Sequence, residues 1–503
     1  MFKKILAIYL SIFLVCIWLT ACSKEKPANR TVSEKLIDKI DFSSFVPKTF
    51  RISPDSRHVA YAAVEGRKCF VVVDGKRQGS YDNIMDAPIF SPDSKRIAYV
   101  AQLKDNEFVV IDGEQQNQYD KIGEDGFSFS PDSRHFTYAA KKGNKWSVVI
   151  DGKQQQQYDG IVVGTLFFSP DSKHVAYGAI ESEKWFCVLD GEEQKRYDAL
   201  GLKNFCFSPD SRNLVYSAKL GEKWVVVVGG EEQNQYDAIS PGSLAFSPNA
   251  ENLAYAARIE GKALAVINGK EHNRYDTVKA RNLVFSPDSS QMAYIAAVNR
   301  KAQLVVNGQE HKQYDGILNA PVFSPDSKHI AYTAMLGTRH LVIIDQKEQQ
   351  QYDDIPELPV FSPDGRRIAY KVSTQKKWLV VVDGLEGKEY HNVFKGPIFS
   401  PDGKRLVYAA RTGNKRFLVL DKKEGTKFDS IFKDPAFSPD GKHLAYVATL
   451  RDKKLVVVNG EKGKLYDHIF VVGQTGIIFD SPDTLHYLAA KANNVYLVEE
   501  RIN

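Results

Sequence analysis

The tripeptide Ser-Pro-Asp, usually preceded by Phe, returns along the whole chain at near-constant spacing. Its prolines are Pro54, Pro92, Pro131, Pro170, Pro209, Pro248, Pro287, Pro325, Pro363, Pro401, Pro439 and Pro482. These twelve copies lie 38 or 39 residues apart, except for a last step of 43. In one copy Asn249 replaces the aspartate. A period near 40 residues marks a repeat architecture, in which each unit buries its apolar surface only against its neighbours.

Each unit holds four short apolar runs separated by turn residues. The first ends in the motif itself, as in Ile89-Phe90-Ser91-Pro92-Asp93. Proline presets the backbone of a tight turn, and the flanking Ser and Asp can hydrogen-bond nearby N–H groups. Val59-Ala60-Tyr61-Ala62-Ala63 typifies the second run and Phe70-Val71-Val72-Val73 the third, and the fourth contains Tyr81-Asp82-Asn83-Ile84. Runs rich in Val, Ile, Tyr and Phe between Gly, Pro, Asn and Asp read as strands. Asp-Gly or Asn-Gly after the third run, as at Asp112-Gly113 and Asn268-Gly269, is a strong hairpin signature. Four antiparallel strands per period give an all-β fold of propeller blades. The turn Pro and the fourth-run Tyr are always 27 positions apart, and one copy has Phe428 for Tyr. Length varies only between that residue and the next Pro, so the blade-to-blade crossover is expected to absorb the variation.

Phe-Ser-Pro-Asp followed by Gly or Ser, a basic residue and an apolar strand resembles the WD40-like (PD40) propeller repeats of TolB-type proteins. Similar blades form the propellers of prolyl-oligopeptidase-type enzymes. The resemblance covers residues 36 to 503 and implies the fold. It does not imply an activity, because propellers host many. TolB's partners do not carry over, because a separate N-terminal domain like TolB's is not found here.

After Pro482 there is room for only three strands, while Leu36-Ile37-Asp38-Lys39-Ile40 mirrors Leu465-Tyr466-Asp467-His468-Ile469. An N-terminal strand can therefore complete the last blade or close an earlier one. With sheets about 10 Å apart, twelve blades in one ring give a mid-blade radius near ~19 Å, and six give ~10 Å. The smaller ring nearly fills its own centre. The expectation is thus two six-bladed propellers in tandem, 36–270 and 271–503, with a single large ring or a 5+7 split as alternatives.

The first residues read as a secretory leader. Lys3-Lys4 precede an apolar stretch from Ile5 to Leu19, followed by Leu19-Thr20-Ala21-Cys22. The last four resemble a bacterial lipobox, which implies a signal peptide over 1–21 and lipidation at Cys22. A short membrane anchor is the alternative, although the stretch is marginal for spanning. Residues 22–35 read as the lipidated Cys and a flexible tether. Ser23 after the Cys suits the periplasmic face of an outer membrane. Cys69, Cys187 and Cys206 fall on strand positions without metal spacing and read as small apolar residues, with a Cys187–Cys206 disulfide as an alternative.

Lys plus Arg number 67 and Asp plus Glu 62, a balance that points to no strongly charged partner. The repeated aspartates lie once per blade around a ring and read as turn caps rather than a catalytic cluster. The slot four residues after the turn Pro holds His58, Arg96, His135, His174 or Asn213, which suits a polar strand start. Gln-rich fourth runs such as Gln154 to Gln157 suit a solvated sheet edge, or an adhesive surface. The loops after the second run carry cations, among them Lys141, Lys142, Lys145, Lys184, Lys223, Arg300 and Lys301. They read as solvated lysines or as a basic ring for an anionic envelope polymer. With Lys203 and Asn204 of a crossover, they are the candidate partner-binding residues. Further candidate crossovers are Gly123 to Gly126 and Ser240 to Ser243.

No Gly-x-Ser-x-Gly, His-Glu-x-x-His or phosphate-binding loop occurs. The expectation is a non-enzymatic, lipid-anchored envelope propeller that binds a protein or ligand. No catalytic residue, metal or cofactor, and no nucleic acid, is expected. The alternative is an envelope hydrolase or lyase with its site in a propeller channel.

Overall fold

A computed structural model describes residues 30–503 apart from 472 and 474, with backbone only at 124 and 125. The expected leader, Cys22 and the tether up to residue 29 lie outside the described residues. Among the described residues, no helix is long and apolar enough to cross a membrane.

The repeated turn shows why its residues recur. In blade 2 the Ser91 hydroxyl donates to Asp93 at 2.7 Å and accepts the Arg96 N–H at 2.9 Å. The same Asp93 oxygen accepts the Lys95 N–H at 3.1 Å. Ser94 closes the turn at φ +65°. The Asp93 N–H then reaches the Ser133 hydroxyl of the following blade at 3.0 Å. Equivalent ties run from Asp55 to Ser94, Asp132 to Ser172, Asp171 to Ser211, Asn249 to Ser289 and Asp288 to Ser327. The motif is thus a turn cap and an interblade tie together. The Ser hydroxyl and the neighbouring backbone N–H hold the carboxyls of Asp93, Asp132 and Asp171 below the usual range, and those of Asp288 and Asp440 at about 2.

Each blade is a four-stranded antiparallel sheet. Blade 1 runs Arg51–Ile52, Val59–Glu65, Lys68–Val73 and Lys76–Tyr81. In blade 2 the first strand is split into Asn83–Ile84 and Ile89–Phe90. The Tyr-Asp-x-Ile run therefore straddles two blades rather than lying in one fourth strand. Tyr81 ends one blade, Asp82 pivots with its N–H on Gln102 O at 2.9 Å, and Asn83 begins the next. The hairpin Asp74-Gly75 has φ +48° and +73°, the type I′ turn that matches strand twist. The polar slot after the turn Pro is answered across the sheet by the hairpin aspartate. His58 meets Asp74 at 2.6 Å, Arg96 meets Asp112 at 2.8 Å, and His174 meets Asp190 at 2.6 Å. Where the hairpin residue is Asn268 its partner is Asn252, at 2.7 Å.

One apolar cluster lies between each successive pair of blades. In most of these clusters a fourth-strand Tyr packs on the second-strand Tyr of the next blade, edge-on in Tyr81–Tyr99 at 6.0 Å and Tyr275–Tyr294 at 6.2 Å. Blade 6 packs on blade 7 like any other pair, and the Asn249–Ser289 tie crosses there as well. Blade 1 has blade 2 on one face and blade 12 on the other. No face of blade 1 is left for blade 6, so the twelve blades form one ring. The expected division into 36–270 and 271–503 gives way to this single ring, and residue 270 falls at the start of the strand Lys270–Tyr275. First strands of neighbouring blades approach one another, as Val360–Phe361 does Asn392–Phe399, which places them innermost.

The N-terminal strand Arg30–Lys39 supplies the fourth strand of blade 12, so residues 30–35 belong to the sheet rather than to a tether. It pairs along Asn494–Ile502, with Arg30 opposite Ile502. Arg30 and Glu500 form a buried ion pair at 3.0 Å, and the Tyr487 hydroxyl donates to Glu500 at 2.7 Å. A bulge between Leu36 and Asp38 sets Asp38 opposite Val495, the register that Tyr81 takes opposite Cys69. The alignment of Leu36–Ile40 with Leu465–Ile469 would place Ile37 there, so the register is displaced by one. Asp38 is buried, and burial raises its carboxyl above the usual range while the Tyr61 hydroxyl opposes the shift.

Candidate functional site

The segments that vary between repeats are not outer crossovers. They belong to the innermost strands. Gly123 to Gly126 lie within Lys121–Phe129, at a register shift between Ile122 and Phe127. Gly201 to Asn204 lie within Ala199–Phe207, at a shift between Leu200 and Phe205. Ser240 to Ser243 join Ala238–Ile239 to Ala245–Phe246. In each blade the strand starts on its neighbour, departs from the ladder and rejoins before the Ser-Pro-Asp turn. These excursions line the inner margin of the ring.

That margin carries exposed apolar side chains. Met85, Val163, Leu202, Leu318, Leu358 and Phe432 are 38–65% exposed, all within such excursions. Neighbouring excursions are also tied together. Asn204 donates to Ser240 O at 3.1 Å and accepts the Gly242 N–H at 2.8 Å. Lys395 pairs with Asp434 at 3.3 Å, and Lys279 donates to Ile317 O at 2.6 Å. Burial lowers the Lys279 ammonium.

The structure separates the candidate cations into two groups. Lys145 pairs with Asp159 at 2.9 Å and with Glu181 at 2.9 Å, Lys184 with Asp198 at 2.6 Å, and Lys223 with Asp237 at 2.5 Å. Lys301 pairs in the same way with Asp315. The second oxygen of each aspartate accepts an N–H from the next blade's loop, as Gly221 N–H to Asp198 at 2.7 Å. These lysines are clamps between blades. Lys142, Lys203 and Arg300 are exposed, whereas Asn204 is buried in the tie just described. The Lys141 ammonium lies 6.0 Å from the Trp146 ring.

Sequence reasoning passed over the tryptophans. Trp146, Trp185, Trp224 and Trp378 all stand second in a third strand, half-buried. Their shared repeat position could have revealed them. Trp146 lines a cavity of about 240 Å³ between the first strands of blades 3 and 4, with Val162, Val163 and Leu166. Gly123 borders it and packs closely on the next strand, where a Cβ would come within 3.2 Å of Ala139 Cβ. Among the described residues, no group of His, Cys, Asp or Glu is arranged to hold a metal. Cys69, Cys187 and Cys206 are free thiols, so the alternative Cys187–Cys206 bridge is not formed. Burial pushes the Cys206 thiol up to about 11.

No family model and no curated protein matches the chain. Solved structures do. One is a eukaryotic initiation factor, at 12% identity and TM-score 0.34, covering 68% of this chain and 97% of that one. Another is the β-propeller domain of the Trilobed protease from Pyrococcus furiosus, at 15% and 0.27, covering 52% and 97%. A third is TolB from Acinetobacter baumannii, at 15% and 0.24, covering 58% and 82%. The propeller architecture itself rests on the strand pairing described above, and likenesses this distant say nothing about activity.

Proposed function

We propose that this chain is a non-enzymatic, lipid-anchored propeller of the bacterial cell envelope that binds a partner protein on the inner margin of its ring. One observation carries the reading. The repeats agree in their turns, hairpins and interblade contacts, and they differ in the inner excursions, which expose Met85, Leu202 and Phe432. Rigid blades carrying variable segments suit recognition. Most candidate loop lysines are held by aspartates, which favours a protein partner over an anionic polymer. The Leu19-Thr20-Ala21-Cys22 run supports anchoring through Cys22, with Ser23 favouring the periplasmic face of an outer membrane.

A photocrosslinking amino acid at Leu202 or Phe432, in cells, should trap one reproducible envelope protein. The same probe at outer-strand Gln155 should not. Equal trapping at all three positions would refute the inner-margin site. Cys22→Ser should leave the membrane fraction, and unchanged fractionation would refute the anchor.

A further inference from the structure

The second position of each third strand, where the tryptophans stand, meets the first strand of the next blade. Elsewhere in the ring an ionisable residue at this position finds a matching group there. Glu107 accepts the Ile122 N–H at 2.7 Å, and His340 pairs with Asp354 at 3.2 Å. Blades 10 and 11 carry Arg416 and Lys454 at the same position, both half-buried, and neither is met by an acid. Arg416 donates to the Ser430 hydroxyl at 2.9 Å, and Lys454 lies 3.3 Å from His468 Nδ1. Among the described residues, neither cation forms an ion pair. The acids close by are already engaged: Asp434 by Lys395, Asp429 by Lys415 and the Arg451 N–H, Asp467 by Lys453 and the Ala492 N–H.

Both places hold surplus positive charge. Arg411 stands directly across the sheet from Arg416, exposed and without an ion pair among the described residues. Like charges directly opposite one another are destabilising. Burial lowers the Lys454 ammonium, and burial together with the Lys454 charge lowers the His468 imidazole. Each cation is seated on an aromatic ring of its own blade's inner strand. The Arg416 guanidinium lies 4.9 Å from the Phe394 ring and the Lys454 ammonium 4.3 Å from the Phe432 ring. Such contacts orient a cation and leave its charge in place.

We infer that these are two carboxylate-binding sites, one between blades 10 and 11 and one between blades 11 and 12, for an acidic segment of the partner polypeptide. The inference rests on the inner-margin reading and gives the partner its chemistry. Arg411 and Arg416 present forked donors to one carboxylate, and Lys454, with His468 beside it, presents its ammonium to the other. Phe432 belongs to an inner excursion, so the two sites continue the inner margin. A polypeptide suits them better than other anions. The Arg416 and Lys454 loops lie at the strand ends opposite Arg30 and Ile502, away from the side on which a membrane anchor would enter. The aromatic faces on which a sugar ring would stack are covered by the cations.

The test uses the full chain and rhodamine-labelled octaglutamate, read by anisotropy at physiological ionic strength, where long-range attraction to exposed charges is screened. Saturable binding is expected, and none to octaglutamine. Arg416→Gln with Lys454→Gln should weaken it at least tenfold. Arg416→Lys with Lys454→Arg keeps both charges and should stay within threefold of the parent, which separates lost charge from lost packing. Lys142→Gln with Arg300→Gln removes two exposed cations of the same face and should change binding less than twofold. Absence of saturable binding, or equal loss in the two neutralised pairs, would overturn the inference. So would equally tight binding of polygalacturonate or phosphatidylglycerol vesicles through Arg416 and Lys454. Photocrosslinking from Leu202 that persists while octaglutamate fails to bind would overturn this inference alone, and loss of that crosslink as well would overturn the inner-margin reading with it.

Discussion

Removing Arg30 tests how the ring is held shut. Its side chain is 3% exposed and that of Glu500 0%, so Arg30→Met leaves a carboxylate buried without its cation. Breaking such a pair from one side costs ~3–5 kcal/mol. At about 1.4 kcal/mol per decade, that is a hundredfold or more in the opening of the seam. Hydrogen exchange read by mass spectrometry measures it locally. Protection should fall at least a hundredfold in Arg30–Lys39 and Asn494–Ile502, while Met292–Val298 in blade 7 keeps its own. The loss should also depend on pH. Burial raises Glu500 above its ordinary value even with Arg30 opposing, and removing Arg30 raises it further. A carboxyl raised in the folded state stabilises that state below its unfolded pKa, and the stabilisation is withdrawn as pH rises through the folded value. The variant should therefore be weakest near neutral pH and recover relative to the parent as pH falls toward ~4.5. Adding Glu500→Gln removes the stranded charge and should restore most of the protection. A loss under tenfold, a loss independent of pH, or equal loss in blade 7 would refute the reasoning.

Three further outcomes follow from the blades. Ser94→Gly should change stability by less than ~1 kcal/mol in urea melts, because one hydrogen bond is exchanged for relief of a positive φ and because Gly365, Gly403 and Gly441 fill the same slot elsewhere. Ser94→Val should cost clearly more, because a β-branched residue fits φ +65° poorly. Tyr216→Ala should cost ~3–5 kcal/mol on the same assay, since the ring is buried against Phe205 at 5.5 Å and Tyr197 at 6.3 Å. On acidification, the turn carboxyls act opposite to Glu500. The folded pKa values of Asp288 and Asp440 are depressed, so their stabilisation is complete above ~3.9 and is lost as pH falls toward about 2. Far-UV circular dichroism should hold to about pH 4 and decay below it. Loss of signal near pH 5 would contradict this.

The blade was legible in the chain because its determinants are local. The Ser-Pro-Asp cap, the Asp74-Gly75 hairpin and the spacing from Pro54 to Tyr81 all act within one repeat. The number of rings was not legible. It depends on the angle between adjacent blades, a sum of small packing differences that leaves no residue signature, and neither Asn249 nor the shortened step after Pro287 interrupts the 6–7 interface. The place of the variable segments was misjudged because a fourth strand and the next first strand are joined through Asp82 alone. An apparent surface crossover proved to be inner wall. Lysine loops such as that of Lys184 looked free because their partners, here Asp198 with the Gly221 N–H, come from the end of one blade and the loop of the next. Asp38 sits one register from its aligned position because a bulge, invisible in sequence, skips Ile37.

The pairing of Arg30 with Ile502 also fixes where the chain enters and leaves. Both ends of the folded ring emerge side by side at blade 12, on the rim of the third-to-fourth-strand hairpins. A tether arriving at Arg30 and any extension beyond Asn503 would share that exit. The loops that carry Lys142 and Arg300 lie at the other ends of the strands, so the face that bears them is the one turned away from both chain ends.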